Sequence, residues 1–223
     1  MSPILPFAIL TLLCASPWMP PDWSQTTTAV VPVDRSLLEN PPARLAVLGT
    51  PVAASVAGLE GLRFDGVDDG LIAECNPLCG AGVFAVELLI APAAGGPPEQ
   101  RFLHIEDEAG RRLLLELRMV GTESWALDTY LHEDGSNRRT LLDTSRTHPT
   151  GQWTWVALRY DGTTMRHYVN GVLEGEGPVA VTPFVAGRLS LGVRMNQVSW
   201  YKGLIRELRV HRIDLAPEDL QRR

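Results

Sequence analysis

Three short segments of this chain set polar groups at every second position. In Phe102–Glu106, His104 and Glu106 alternate with Leu103 and Ile105; in Leu113–Arg118, Glu116 and Arg118 alternate with Leu113, Leu115 and Leu117. In Trp125–His132, Asp128, Tyr130 and His132 alternate with Trp125, Leu127 and Leu131. Residues two apart on a strand share a face, so each segment has one apolar and one polar side. Placed side by side, the strands would bring an imidazole, carboxylates, a guanidinium and a phenol onto one surface. Two chemistries suit that set. One is hydrogen bonding to a polar ligand such as a sugar. The other is glycoside hydrolysis, which uses two carboxylates about 5 to 10 Å apart. Arg194, at the end of a later strand, and Trp200 with Tyr201 beyond it suit the rim of such a surface. The plain alternative is a solvated sheet face laced with cross-strand ion pairs.

Other groupings are weaker. Asp65, Asp68 and Asp69 fall in one tight loop, and a calcium ion takes six to eight oxygen ligands, many of them carboxylates. A structural calcium on Asp65 and Asp68 is the one cofactor the chain suggests. Its alternative is a solvated turn in which the carboxylates bond their own backbone and Arg206 pairs with one of them. Cys75 and Cys79 are separated by Asn76-Pro77-Leu78, a turn that suits a disulfide stabilising by about 2 kcal/mol. Their spacing is not that of a redox pair, and no further metal ligand lies nearby. His148 and His167 have no serine or cysteine in a nucleophile setting, so no triad is expected. His167 reads as a hydrogen-bonded, buried or half-buried histidine.

The elements that must position these groups are short strands. They are expected at Leu45–Leu48, Gly61–Phe64, Leu71–Ala73, Phe84–Ile90, Arg101–Ile105, Arg112–Arg118, Ser124–Leu131, Arg138–Leu142, Trp153–Tyr160, Met165–Val169, Arg188–Val193 and Gly203–Val210. Turn residues separate nearly all of them, including Asp65-Gly66, Asp134-Gly135-Ser136 and Gly175–Pro178. Trp153–Gly171 is the clearest signal, a β-hairpin turning at Asp161–Thr164 and again at Asn170-Gly171. Trp153 and Trp155 share a face with Ala157 and are expected to pack in the core rather than form a sugar platform. Only Ala216–Leu220 looks helical, for about one turn. Many short strands with regular turns indicate an all-β fold, a two-sheet antiparallel sandwich of jelly-roll type.

Residues 25–42 read as a linker and 43–223 as one domain. Ahead of them, residues 1–24 hold an apolar run from Ile4 to Ala15, the length of a signal-peptide core and short for a membrane span. That run places the mature chain outside the cytoplasm, secreted, periplasmic or on the cell surface. The net charge of −6 argues against nucleic acid as a partner.

Four segments resemble the laminin-G-like jelly-roll domains of the concanavalin A-like lectin/glucanase superfamily. They are Gly61–Gly70, with its FDG-x-DD text; Val83–Glu87; Gly151–Gly171; and Lys202–Val210 followed by Leu215–Leu220. The resemblance spans residues from about 45 to 220 and implies the fold inferred above. In the closing strand Arg206 stands where relatives often have Asp, which puts a cation site in doubt. Laminarinase-type members carry their acids as Glu-x-Asp-x-(x)-Glu, whereas Glu106-Asp107-Glu108 runs into a turn. The resemblance therefore implies a noncatalytic module that binds a glycan or an extracellular protein. Alternatives are a glycan-active hydrolase or lyase, with Glu106, Glu116 and Asp128 converging, and an adhesive domain without a small-ligand site.

Overall fold

A computed structural model describes residues 27–222. The expected signal peptide, residues 1–24, lies outside the described residues. From the N-terminus come β1 (Thr28–Pro32), α1 (Ser36–Glu39), β2 (Leu45–Leu48), β3 (Val52–Val56), β4 (Leu59–Asp65) and β5 (Gly70–Ala73). The middle of the chain forms β6 (Phe84–Pro92), β7 (Glu99–Asp107), β8 (Arg112–Met119), β9 (Ser124–His132), β10 (Arg138–Leu142) and β11 (His148–Pro149). Last come β12 (Thr154–Tyr160), β13 (Thr164–Val169), β14 (Val172–Pro178), β15 (Gly187–Leu191) and β16 (Lys202–His211), with a 3-10 turn at Pro217–Asp219.

Named strands pair antiparallel in two sheets. The first runs β14-β13-β12-β6-β16-β4-β3, with β1 added to β16; the second runs β10-β9-β8-β7-β15-β5-β2, with β11 added to β9. Alternation explains the layering. On β6, Phe84, Val86, Leu88 and Ile90 face the second sheet, as do Val156, Leu158 and Tyr160 on β12. They meet Leu103 and Ile105 of β7, Leu113, Leu115 and Leu117 of β8, and Trp125, Leu127 and Leu131 of β9. Each such side chain removed from water stabilises the sandwich by about 1.5–3 kcal/mol.

The expected linker is a correction. Within it, β1 pairs with β16 from Thr28↔His211 to Pro32↔Glu207, and Val31, Val33 and Leu37 are buried. The physical reason is the edge of β16. On that edge β4 pairs with Lys202–Ile205 only, and β1 supplies the partners for Glu207–His211. Without it a row of backbone donors and acceptors would stand open.

Gly175–Pro178, expected as a turn, belongs to β14. Its glycines meet a packing demand: a Cβ at Gly175 would lie 2.8 Å from His167 Nε2, and one at Gly177 2.9 Å from Arg139 Nε. The hairpin turns are as expected. Asp161 Oδ1 accepts the N–H groups of Thr163 and Thr164, and Asn170 and Gly171 adopt positive φ of 48° and 76°. Its tryptophans, however, lie outside the core between the sheets. Trp153 is buried in a satellite cluster with Ala91 and Leu204, its Nε1 donating to Val56 O at 2.8 Å. Trp155 is half-buried under the Arg209 guanidinium, 5.1 Å from the ring centroid.

Candidate ligand site on the second sheet

The outer face of the second sheet is built in rows across β7, β8, β9 and β10. One row is Arg101, Glu116, Asp128 and Leu142; the next is His104, Leu114, Tyr130 and Thr140; the third is Glu106, Arg112, His132 and Arg138. The first two rows, with Arg112, Arg118 and Arg194, line an open depression of about 240 Å3. Leu114 is its one aliphatic lining residue, and neither His104 nor Leu142 reaches it.

An ion network holds one side. Arg118 Nε donates to Asp128 Oδ2 at 2.7 Å and Arg118 Nη1 lies 2.6 Å from Glu99 Oε2. Glu116 sits between two guanidiniums, 3.1 Å from Arg101 Nε and 3.7 Å from Arg118 Nη2, and Arg101 also pairs with Glu99. The Arg101–Glu116 contact has the distance of an ion pair but is out of line for a hydrogen bond. Burial pushes Glu116 up to about 7, with the Asp128 carboxylate adding to it against the pull of Arg101. Burial raises Asp128 as well.

His104 lies beneath, 1% exposed. Its Nδ1 accepts the Met195 N–H at 3.0 Å, so a neutral ring carries its proton on Nε2, 3.2 Å from Glu106 Oε2. Burial, then the charges of Arg194, Arg112, Arg101 and Arg188, push this histidine down to about 3. The His104–Glu106 contact therefore joins a neutral ring to a carboxylate.

Glu116, Arg118, Asp128 and Tyr130, expected from the alternation, and Arg194, expected at the rim, come together here. His104 and Glu106 share the face without lining the depression. Trp200 is a correction: it is half-buried, with its ring edge 3.4 Å from where a Cβ on Gly70 would stand, because the loop before it turns back through left-handed Gln197 and Ser199. Tyr201 is fully buried and donates to Leu204 O. Missed by the sequence reading were Arg101, Arg112, Leu114 and Thr140. Leu114 and Arg112 follow from extending the alternation of β8 back from Glu116 by two residues and by four. Arg101 could not be found that way. A bulge between Arg101 and Leu103 sends both Phe102 and Leu103 into the core and turns Arg101 to the His104 face.

The remaining groupings are structural. Asp107 is buried: its Oδ1 accepts the N–H groups of Ala109 and Arg111, and its Oδ2 accepts Arg111 Nε at 2.7 Å. The Glu106-Asp107-Glu108 text is thus a tied hairpin tip. In the acidic loop, Asp65 Oδ1 accepts the N–H groups of Val67, Asp68 and Asp69, while Asp69 accepts those of Thr50 and Asp65. Asp65, Asp68 and Asp69 do cluster, with one oxygen of each within 4.8 Å of the others. With those bonds in place, side chains leave Asp65 Oδ2 and the Asp68 carboxylate, so calcium would need most of its ligands from carbonyls and water. Arg206 does not pair with this loop and donates to Glu60 O instead. The expected disulfide is absent: Cys75 and Cys79 are free thiols. Asn76 accepts the Leu78 N–H and Leu78 is buried, which leaves Cys75 half-buried and Cys79 exposed. His167 is buried, bonded to Thr129 Oγ1 at 3.0 Å and pushed down to about 4 by burial.

Among the described residues, no helix is long and apolar enough to cross a membrane. No curated protein matches the chain. Among solved structures, domain 4 of AbnA, a GH43 extracellular arabinanase from Geobacillus stearothermophilus in complex with arabinotriose, is similar at 22% identity and TM-score 0.55, over 86% of this chain and 84% of that one. The enzymatically active domain of tailspike protein 2 of bacteriophage CBA120 is similar at 16% identity and TM-score 0.61, over 79% of this chain and 29% of that one. The binding domain of botulinum neurotoxin DC in complex with SialylT is similar at 12% identity and TM-score 0.54, over 78% and 44%. At these identities the likeness concerns the fold. A laminin-G family model described as the concanavalin A-like lectin/glucanases superfamily matches residues 65–221. With its two antiparallel sheets and jelly-roll neighbours, this chain belongs to the laminin-G-like family of the concanavalin A-like lectin/glucanase superfamily.

Proposed function

We propose that the chain is a noncatalytic carbohydrate-binding module that holds a glycan against the outer face of the second sheet, over β8, β9 and β10. The observation that carries this reading is the depression. Guanidiniums, carboxylates, a phenol and a hydroxyl converge on it around one aliphatic residue, Leu114. Sugar hydroxyls both donate and accept hydrogen bonds, and such a mixed lining satisfies both. Similar domains caught with arabinotriose and with SialylT support the same class of ligand. The apolar run from Ile4 to Ala15 supports an exported protein, which would meet glycans at or beyond the cell surface.

A glycan array probed with the purified full chain, in calcium and in chelator, tests this. Binding in both conditions is expected, since no residue of the Asp65–Asp69 loop lines the depression. No binding in either condition would sink the proposal.

Hydrolysis is a second reading, favoured by one observation: Glu116 and Asp128 are direct ladder partners, and the first is pushed up to about 7. Against it, Asp128 is bonded to Arg118 and Glu116 is flanked by two guanidiniums, which makes them members of an ion network. Sugar release from any glycan the array identifies decides the matter. The binding reading expects none, whereas turnover abolished by Glu116→Gln would establish the enzyme.

A further inference from the structure

The charge of the ligand follows from which arginines are already partnered. Arg101 and Arg118 bridge Glu99, Glu116 and Asp128. Arg112 and Arg194 line the same depression, and neither has a carboxylate partner among the described residues. The cause lies in the ladder. Glu106 stands opposite Arg112 on β7 but turns to His104, and the β9 neighbour of Arg112 is His132, which offers no charge of opposite sign. Arg194 is fixed by its own loop, where its N–H donates to Val198 O and its carbonyl accepts from Gln197 N–H.

Donor capacity around these groups is unfilled. Arg112 Nε is buried with no acceptor among the described residues, and so are Arg101 Nε and Nη1. A buried donor without an acceptor costs about 1–3 kcal/mol, and more when charged. The positive field registers on a neighbour: after burial, Arg194 and Arg112 are the largest influences holding His104 neutral. This concentration of unpaired positive charge sits in a chain whose net charge is −6.

We infer that the depression takes an anionic sugar, whose carboxylate or sulfate group is received by Arg112 and Arg194 while the ring lies against Leu114 and Tyr130. The inference rests on the glycan reading and specifies its ligand. Guanidinium forks match anionic groups that present two oxygens, and charge-assisted hydrogen bonds are about twice as strong as neutral ones. Arg112 and Arg194 would thereby gain the counter-charge that the described residues do not provide.

The test uses the full chain on an array carrying acidic glycans beside their neutral parents, followed by calorimetric titration. The pairs are trigalacturonate with its carboxyl-reduced trisaccharide, and sialyllactose and lactose 3′-sulfate with lactose; they separate uronate, sialate and sulfate as sources of the anion. At least one acidic glycan is expected to bind about ten- to a hundredfold more tightly than its parent. Arg112→Gln and Arg194→Gln are each expected to remove about tenfold of that preference without lowering Tm, since neither side chain makes an ion pair among the described residues. Neutral glycans bound as tightly as acidic ones would overturn the inference and leave the glycan reading standing. Preference retained in both variants would overturn the assignment to these arginines. No binding to any glycan would overturn both readings together.

Discussion

At the scale of single residues, the ion network decides what each charge on the second sheet can do. Arg118 is the hub, and Asp128, only 1% exposed, depends on it. Arg118→Ala leaves that carboxylate buried and unpaired, so it should cost about 3 kcal/mol in chemical denaturation and abolish glycan binding. His148→Ala, bearing on Glu174 away from the depression, should leave binding unchanged. Glu116 gives a pH signature. The groups facing it are Arg101, Arg118, Asp128 and Glu99, and burial raises it from 4.5 to about 7. A carboxyl whose value is higher folded than unfolded stabilises the fold fully below the unfolded value, and that contribution is lost as pH rises from about 4.5 through about 7. His104 and His167, both held neutral, act with the opposite sign between about 6.5 and their folded values of about 3 and about 4, a window that overlaps this one, so the informative quantity is a difference. Relative to the parent, Glu116→Gln should gain stability steadily over that range in denaturation curves taken at several pH values. A constant difference would contradict the upward shift. Four residues picked from the alternation, Glu116, Arg118, Asp128 and Tyr130, converge on the depression because period-two reasoning holds wherever strands are regular. It failed at Arg101, where the bulge shifts the phase by one residue, and it does not extend to Trp200, whose position depends on a loop with left-handed residues that no periodicity reports.

At the scale of elements, strand pairing explains what the composition disguised. The Thr-, Pro- and Val-rich segment at residues 27–33 looks like a linker because nothing in it alternates strongly. Its role comes from β16, which is longer than β4 and needs a second partner on that edge. Deleting residues 28–39 should therefore destabilise the fold, and Leu37→Ala alone should cost about 2–5 kcal/mol in denaturant unfolding. An unchanged midpoint would restore the linker reading. The hairpin β12–β13 is a contrasting case, legible in full from its turn residues. Trp153 nevertheless packs on a satellite cluster rather than between the sheets, since the core side of β12 belongs to Val156, Leu158 and Tyr160. Trp153→Phe, which removes the bond to Val56 O, should cost about 1 kcal/mol and leave glycan binding as it was.

At the scale of the whole molecule, recognisability and proposed function fall on different sheets. The segments that reveal the family build mainly the first sheet: β4, β6, β12, β13 and β16. Their apolar alternation and turn chemistry are what a sandwich requires of any member, which is why the fold could be read from the chain. The depression lies on β7 to β10 of the second sheet, where the fold demands only that one face be apolar and leaves the other free to carry charge. Which charges would pair there, and which would be left over, depends on register and on the Arg101 bulge, and neither is written in the alternation. This polar face is the proposed glycan site. Its most direct test is amide chemical-shift mapping by NMR as the tightest-binding array glycan is titrated into the full chain. The expected result is shifts confined to Arg101, the stretches Arg112–Arg118 and Asp128–Tyr130, Thr140 and Arg194, with residues 153–171 unmoved. Shifts concentrated in that hairpin or in the Asp65–Asp69 loop, with the second-sheet face silent, would contradict it.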